Sequence, residues 1–129
     1  MNAVDTNITI YGFDRRDPRK HASARLLVQT MPRGVLVWQV ACEFFAVSQR
    51  LAAQGIVSYD AWAELRSLRI MWSPVLPKFP AFDRAEQLRK RFSLSFWDSM
   101  LIAVCLESGV QRLYSKTSPP IRKSIPWKS

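Results

Sequence analysis

Three carboxylates stand where a purely structural scaffold has little use for them: Asp5, Glu43 and Asp98. Asp5 follows the short, mostly apolar start Met1 to Val4. Glu43 falls on the apolar stripe of Val40, Phe44, Val47 and Leu51, three residues after Val40 and four before Val47. Asp98 lies between Trp97 and the unbroken apolar run Met100 to Leu106, in what the pattern predicts is a helix's first turn. Burying a lone carboxylate costs on the order of several kcal/mol unless a cation or strong donors compensate it. Two structural explanations are available. Ser95 and Asp98 have the spacing of an N-cap and its capping partner, with the acid meeting the helix dipole. Glu43 is solvated if it leans to the edge of its stripe. The chemical explanation is convergence: strands of a parallel sheet end along one edge, where acids from different elements can meet. Such acids repel one another unless a cation sits among them. Hard oxygen ligands suit Mg²⁺ or Mn²⁺, with water and phosphate oxygens as further ligands. A metal so held polarises a phosphodiester and lowers the pKa of an attacking water. The composite reading is a metal-dependent nuclease.

Composition is compatible with that chemistry. The 129 residues suggest one domain with a real core, and 48% hydrophobic residues exclude a disordered chain. The net charge is +9, from 19 Lys and Arg against 10 Asp and Glu, and the pI is near 10.3. A basic surface favours an anionic partner, nucleic acid above all. Cys42 and Cys105 lie in apolar helical sequence without a CxxC pairing, so buried thiols are expected rather than a zinc site. His21 is the single histidine, which excludes mechanisms built on paired histidines. The run Met100 to Leu106 is far short of a membrane span, and MNAVDTN has neither a basic nor an apolar signal region. A soluble, cytoplasmic protein with no membrane partner is expected.

The elements that must position the acids are legible in outline. A strand at Met1 to Val4 delivers Asp5, followed by a short helix through Ile8, Ile10, Tyr11 and Phe13. DRRDPRK, residues 14–20, reads as a loop, and His21 to Met31 as a helix with Ala24, Leu27 and Val28 on one face. Val35 to Trp38 is a buried strand leading into a helix from Gln39 to Ala53, stopped at Gly55. Ser58 is expected to cap a helix over Tyr59 to Arg69, with Trp62, Leu65 and Leu68 inward and the first-turn acid Asp60 on the dipole. Ile70-Met71-Trp72 reads as a third strand ended by Pro74, and Val75 to Pro80 as a connection. Phe82 to Phe92 is helical with Ala85, Leu88 and Phe92 inward. A helix apolar on nearly every side follows, from Ser95 to Glu107, and belongs inside the protein. Val110 to Tyr114 is a fourth strand. After it, SKTSPPIRKSIPWKS carries three prolines, four basic residues and no acid. A basic tail over 116–129 is expected, with at most a short strand near Ile121 to Ile125, behind a domain over 1–115. Alternation of strands and helices predicts an α/β domain of three layers, α/β/α, around a mostly parallel sheet of four to five strands.

Three stretches, VDTNITIYGFD, QVACEFFAV and RFSLSFWDSMLIAVCLESGVQRLYS, together resemble the PIN domain, in particular the VapC-type ribonuclease toxins of bacterial toxin–antitoxin pairs. The resemblance spans roughly residues 1–115. It implies Mg²⁺-dependent (or Mn²⁺-dependent) cleavage of RNA, a homodimer, and a small VapB-like antitoxin that holds the enzyme in check. It assigns Asp5, Glu43 and Asp98 to three of the family's four acidic positions, as catalytic residues and metal ligands. Thr6 and Asn7 match the polar residues after the first aspartate, and Ser95 supports the helix that carries Asp98.

The fourth acid of the family usually follows the last clear strand. Here that segment reads Tyr114-Ser115-Lys116-Thr117, and no carboxylate occurs after Glu107. Three acids still suffice for one metal, because water and phosphate fill the other positions. Thr117 is a candidate to contribute through its hydroxyl or a bound water. Three readings stay open: an active ribonuclease, an impaired PIN protein that acts by binding its antitoxin or nucleic acid, and a basic α/β module that binds nucleic acid without chemistry.

Overall fold

The computed structural model describes residues 1–116 and 121–123. The apolar start forms β1 (Asn2–Val4), and Asp5, in extended conformation, caps α1 (Thr6–Tyr11). Asp17 caps α2 (Pro18–Thr30), which begins earlier than expected because Pro18 is pre-organised for a first helical position. β2 (Gly34–Val37) is buried from Val35 to Val37 and runs directly into α3 (Trp38–Ala53). Then come α4 (Ala61–Met71), β3 (Ser73–Val75), α5 (Pro80–Phe92), α6 (Phe96–Glu107), β4 (Arg112–Lys116) and β5 (Ile121–Lys123).

The sheet has strand order β3-β2-β1-β4-β5, parallel throughout except for β5, which runs antiparallel to β4. From β1 the chain steps outward through β2 to β3, then crosses back to place β4 on the other side of β1. With right-handed crossovers, this reversal puts α5 and α6 on the opposite face from α1 to α4. The result is the three-layer α/β/α sandwich expected. Its core is built by Ala3, Val4, Val35, Leu36, Val37 and Leu113 of the sheet. Val40 and Phe44 of α3 pack on one face, and Met100 to Cys105 of α6 complete the core. No helix among the described residues is long and apolar enough to cross a membrane.

Several boundaries differ from the expectation, each for a physical reason. The cap of α4 is Asp60, not Ser58: Asp60 Oδ1 accepts from the amides of Trp62 at 2.9 Å and Ala63 at 3.4 Å. This later start turns Trp62 outward, where it is 59% exposed and lies against Phe45 with ring centroids 4.1 Å apart. Ile70 and Met71 continue α4 rather than forming a strand, because the helical ladder runs on until the Trp72 amide meets Leu68 O at 2.8 Å. The strand begins only at Ser73 and contains Pro74. Proline is tolerated there because β3 is an edge strand. Phe92 is exposed at the end of α5 rather than inward. Gly34 opens β2 because the Trp72 indole lies against it; a Cβ at that position would run into Trp72 Nε1 and Cδ1.

Candidate active site

In an open parallel sheet the crevice lies outside the carboxyl ends of the strands, where the strand order reverses. Here that point falls between β1 and β4, and the residues just past it are Asp5 and Ser115. Register pairs Val4 with Tyr114, and the Asp5 amide donates to Tyr114 O at 2.8 Å. The Asp5 carboxylate is held on both oxygens: the Thr6 amide donates to Oδ1 at 2.6 Å and Ser115 Oγ to Oδ2 at 3.2 Å. Its pKa is raised above the ordinary aspartate value. Burial, which disfavours the anion, is the main cause, and the negative charges of Asp98 and Glu43 push the same way. The two hydrogen bonds oppose the rise without cancelling it. Beneath the site, burial and the charge of Asp5 push the Cys105 thiol up to about 12, so that side chain is an inert part of the floor.

Glu43 stands on the second turn of α3, half-buried, on the stripe the periodicity assigned to it. Its Oε1 accepts from Thr6 Oγ1 at 3.1 Å and from Gln39 Nε2 at 3.3 Å. Thr6 is thus the tie between the first acid and the second. Gln39 Nε2 also donates to Trp97 O at 3.0 Å, joining α3 to the first turn of α6. On that turn Ser95 acts as N-cap, its Oγ accepting from the Asp98 amide at 3.2 Å. The side chain of Asp98 is exposed; burial of α6 starts one residue later, at Ser99. The sequence pattern placed Asp98 at a buried helix start, whereas the fold leaves that first turn open to solvent. Among the described residues, no hydrogen bond or ion pair engages its carboxylate. Asn7 is exposed, and Thr117 lies outside the described residues.

The structure therefore brings Asp5, Glu43 and Asp98 into one electrostatic neighbourhood. Among the described residues, no three His, Cys, Asp or Glu side chains are drawn tightly enough together to form a ready-made metal-binding group. The donor chemistry nonetheless fits a hard divalent cation. The donors are carboxylate oxygens, and a cation would relieve the repulsion on Asp5. Gln39 and Ser115 belong to the site and were not singled out from the sequence. Gln39 lies one helical turn before Glu43, a spacing at which side chains meet, so a signal for it existed. Ser115 is placed only by the β1–β4 register.

Strand order, switch point and carboxylates together define an α/β domain with an acidic site at the carboxyl edge of its parallel sheet. The sequence matches the PIN domain over residues 3–116, and the chain belongs to that family. The fold is similar to the crystal structure of VapC20 from Mycobacterium tuberculosis, described as a toxin that cleaves the sarcin–ricin loop. That similarity has a TM-score of 0.70 at 19% identity, over 92% of this chain and 92% of that one. It is similar also to a chain of a toxin–antitoxin complex from Klebsiella pneumoniae, with a TM-score of 0.68 at 16% identity, over 88% of this chain and 83% of that one. No significant match is found among curated protein sequences.

Proposed function

We propose that this chain is an Mg²⁺- or Mn²⁺-dependent endoribonuclease, the toxin of a VapBC-type toxin–antitoxin pair, working in the cytoplasm. The observation that carries the reading is the state of Asp5. It is a half-buried carboxyl at the switch point of a PIN sheet, disfavoured as an anion by burial and by Asp98 and Glu43. Carboxylates set against one another in this way call for a cation. Asp5, Glu43 and Asp98 are the residues that would hold it, in part through water and substrate oxygens. When bound, the metal polarises the phosphodiester and makes a better nucleophile of its water.

The chain's own side chains supply the framework. Thr6 and Gln39 fix Oε1 of Glu43, Ser115 fixes Oδ2 of Asp5, and the Ser95 cap holds the turn that presents Asp98. A net charge of +9 retains the RNA backbone against this acidic centre. The partners on this reading are RNA, a VapB-like antitoxin and a second copy of the chain. The test is RNA cleavage by the antitoxin-free protein with Mg²⁺ or Mn²⁺ and with EDTA, beside Asp98→Asn. Cutting that requires the metal and is lost in Asp98→Asn supports the reading; metal-independent cutting that survives the substitution overturns it.

A second reading is an impaired PIN protein that acts by binding. It is favoured by Lys116 and Thr117, which stand in the sequence where the family usually has its fourth carboxylate, and by the lack of a tight acid cluster among the described residues. It expects a folded protein that neither cuts RNA nor gains thermal stability with Mg²⁺.

A further inference from the structure

The stretch DRRDPRKHASAR, residues 14–25, is strongly basic, and the carboxylate site uses none of it. Its two acids are already engaged. Asp14 is gripped by Arg16, and Asp17 caps α2 and faces Lys20 at 4.0 Å. Arg15 and Arg25 are left over: among the described residues, no ion pair or hydrogen bond engages either guanidinium. Arg25 is nonetheless half-buried, a costly state for a charge without a partner. Both line a cavity of about 670 Å³ between this stretch and the α3–α4 connection. His21, one helical turn before Arg25, lines it too; its Nδ1 donates to Tyr11 O at 2.8 Å, which leaves Nε2 as the ring's other polar atom. Tyr59 and Glu64 line the cavity from the side of α4. Tyr59 is fixed in place, its ring stacked on Phe13 with centroids 5.4 Å apart and its hydroxyl 2.6 Å from Ser48 Oγ. Glu64 is the acid of the lining, and no ion pair joins it to the arginines across the cavity. Phe13, Ile56 and Val57 add apolar surface between the two charged ends.

We propose that this cavity binds a nucleoside phosphate, with Arg15 and Arg25 on the phosphate and Glu64 accepting from a hydroxyl or amino group at the other end. The cavity shares no lining residue with the carboxylate site, so the proposal does not depend on the nuclease reading. Guanidinium forks match phosphate oxygens, and two of them from separate turns of the chain suit a group with three free oxygens. Apolar surface with a few placed polar groups is the composition of a small-molecule site. A bare inorganic anion would leave Glu64 and the apolar surface unused. An acidic peptide would set its own carboxylates against Glu64. A nucleoside phosphate uses both ends and the apolar stretch between them. The phosphate is that of a free mononucleotide or of an RNA terminus, and the chemistry recognised is the same.

The test is calorimetric titration of the full chain at fixed salt in EDTA, so that no phosphate is held through a metal at the carboxylates. The probes are adenosine and guanosine 5′-monophosphates, the matching nucleosides and inorganic phosphate. A monophosphate is expected to bind more tightly than its nucleoside and than phosphate alone. Arg25→Ala should weaken it roughly 10- to 150-fold, the range for losing a hydrogen bond to a charged group, and Arg25→Lys should recover only part. Arg15 is exposed, so Arg15→Ala reports on the site without disturbing the fold. Glu64→Gln should weaken the monophosphate while inorganic phosphate binds as tightly as before or more so, a split that general attraction to a basic face would not give. Monophosphate affinity unchanged in both arginine-to-alanine variants overturns the proposal, as does a nucleoside or inorganic phosphate that binds as tightly as the monophosphate. A glutamate-rich peptide that binds more tightly than any monophosphate also overturns it, in favour of a protein partner. The source is read by competition. Displacement of the monophosphate by a 5′-phosphorylated oligoribonucleotide, and not by its 5′-hydroxyl twin, supports the RNA terminus; displacement by neither supports the free nucleotide.

Discussion

Ser115 donates its hydroxyl to Oδ2 of Asp5 at 3.2 Å, joining the end of β4 to the end of β1 across the point where the strand order reverses. This neutral donor stabilises the Asp5 anion, whereas a carboxylate there would repel it. On the proposed metal-dependent reading, an acid here would offer the metal a further oxygen, whereas the hydroxyl lets the site tolerate being empty. Replacing the serine by an acid should reverse both effects. Ser115→Asp is expected to melt below the parent in EDTA and to recover with Mg²⁺. At a metal concentration 100 times the dissociation constant, the recovery is about 2.7 kcal/mol. Melting curves across a Mg²⁺ series read it directly; an equal Tm shift in both proteins would show that Ser115 is remote from the metal.

Asp5 makes stability fall as pH rises. Its pKa in the folded chain lies above the ordinary value of 3.8, chiefly through burial, so the fold binds this proton more tightly than the unfolded chain does. Its favourable contribution is fully present below the unfolded value and is lost as pH climbs through the folded one. Metal-free Asp5→Asn should therefore melt above the parent at pH 7 and lose that advantage near pH 3. Asparagine also caps helices well, which keeps α1 intact. A neutral-pH Tm lower than the parent's, with no crossover, would mean that Asp5 acts as a structural cap.

Asp14 has the opposite sign. It is buried, and the Arg16 guanidinium grips it through Nε at 3.1 and 3.0 Å and through Nη2 at 2.7 Å. That grip holds its pKa below the usual value. Its stabilisation is present above pH 3.8 and disappears as pH falls through the folded value. Arg16→Ala leaves the Asp14 carboxylate without its main donor, which should lower the midpoint of urea unfolding at pH 7. The loss should shrink towards pH 3, and a pH-independent loss would point to packing instead.

Glu43 and Asp98 stood out because each violates a local rule: a carboxylate on an apolar stripe, or at the head of an all-apolar helix, is an anomaly in sequence alone. Asp5 stood out only by following the first strand. Gln39 and Ser115 violate nothing. A polar residue at a helix start or strand end is ordinary, and only the fold makes these two partners of Glu43 and Asp5. The alternation of strands and helices carried the three-layer architecture, since parallel pairing needs crossovers. Boundaries failed where two good signals competed. Ser58 and Asp60 are both favoured caps, and only tertiary packing decided for Asp60. Ile70-Met71-Trp72 reads as a strand by propensity, yet Ile70 is 88% exposed and lies in the last turn of a helix.

Gly34 shows a constraint with no sequence signature beyond the residue itself. The buried Trp72 side chain lies against it, from the end of α4 onto the start of β2. Gly34→Ala should force the indole or the strand to move. The expected loss is about 1–3 kcal/mol, the usual range for overpacking a filled core, measured by chemical unfolding. Trp72→Phe in the same background should recover part of it, because a smaller ring frees the space. Failure to recover would place the cost in the strand rather than in the contact.

Gln39 is the most informative residue to change, because it touches two of the site's elements and none of its chemistry. Its amide nitrogen bonds Glu43 Oε1 and Trp97 O together, fixing α3 against the turn that carries Asp98. Residues that orient metal-binding carboxylates commonly cost 10- to 100-fold in metal affinity or activity when removed, and about that loss is expected in Gln39→Ala. The fold should hardly notice, since the residue is near the surface and lies outside the core. Gln39→Glu separates orientation from charge: it keeps the length of the side chain but adds a negative charge beside Glu43 and loses the donor. If Gln39 works by orienting, Gln39→Glu should bind Mg²⁺ no better than Gln39→Ala. If only local charge mattered, the added acid would raise Mg²⁺ affinity above the parent's, and calorimetric titration of the three proteins decides between the two.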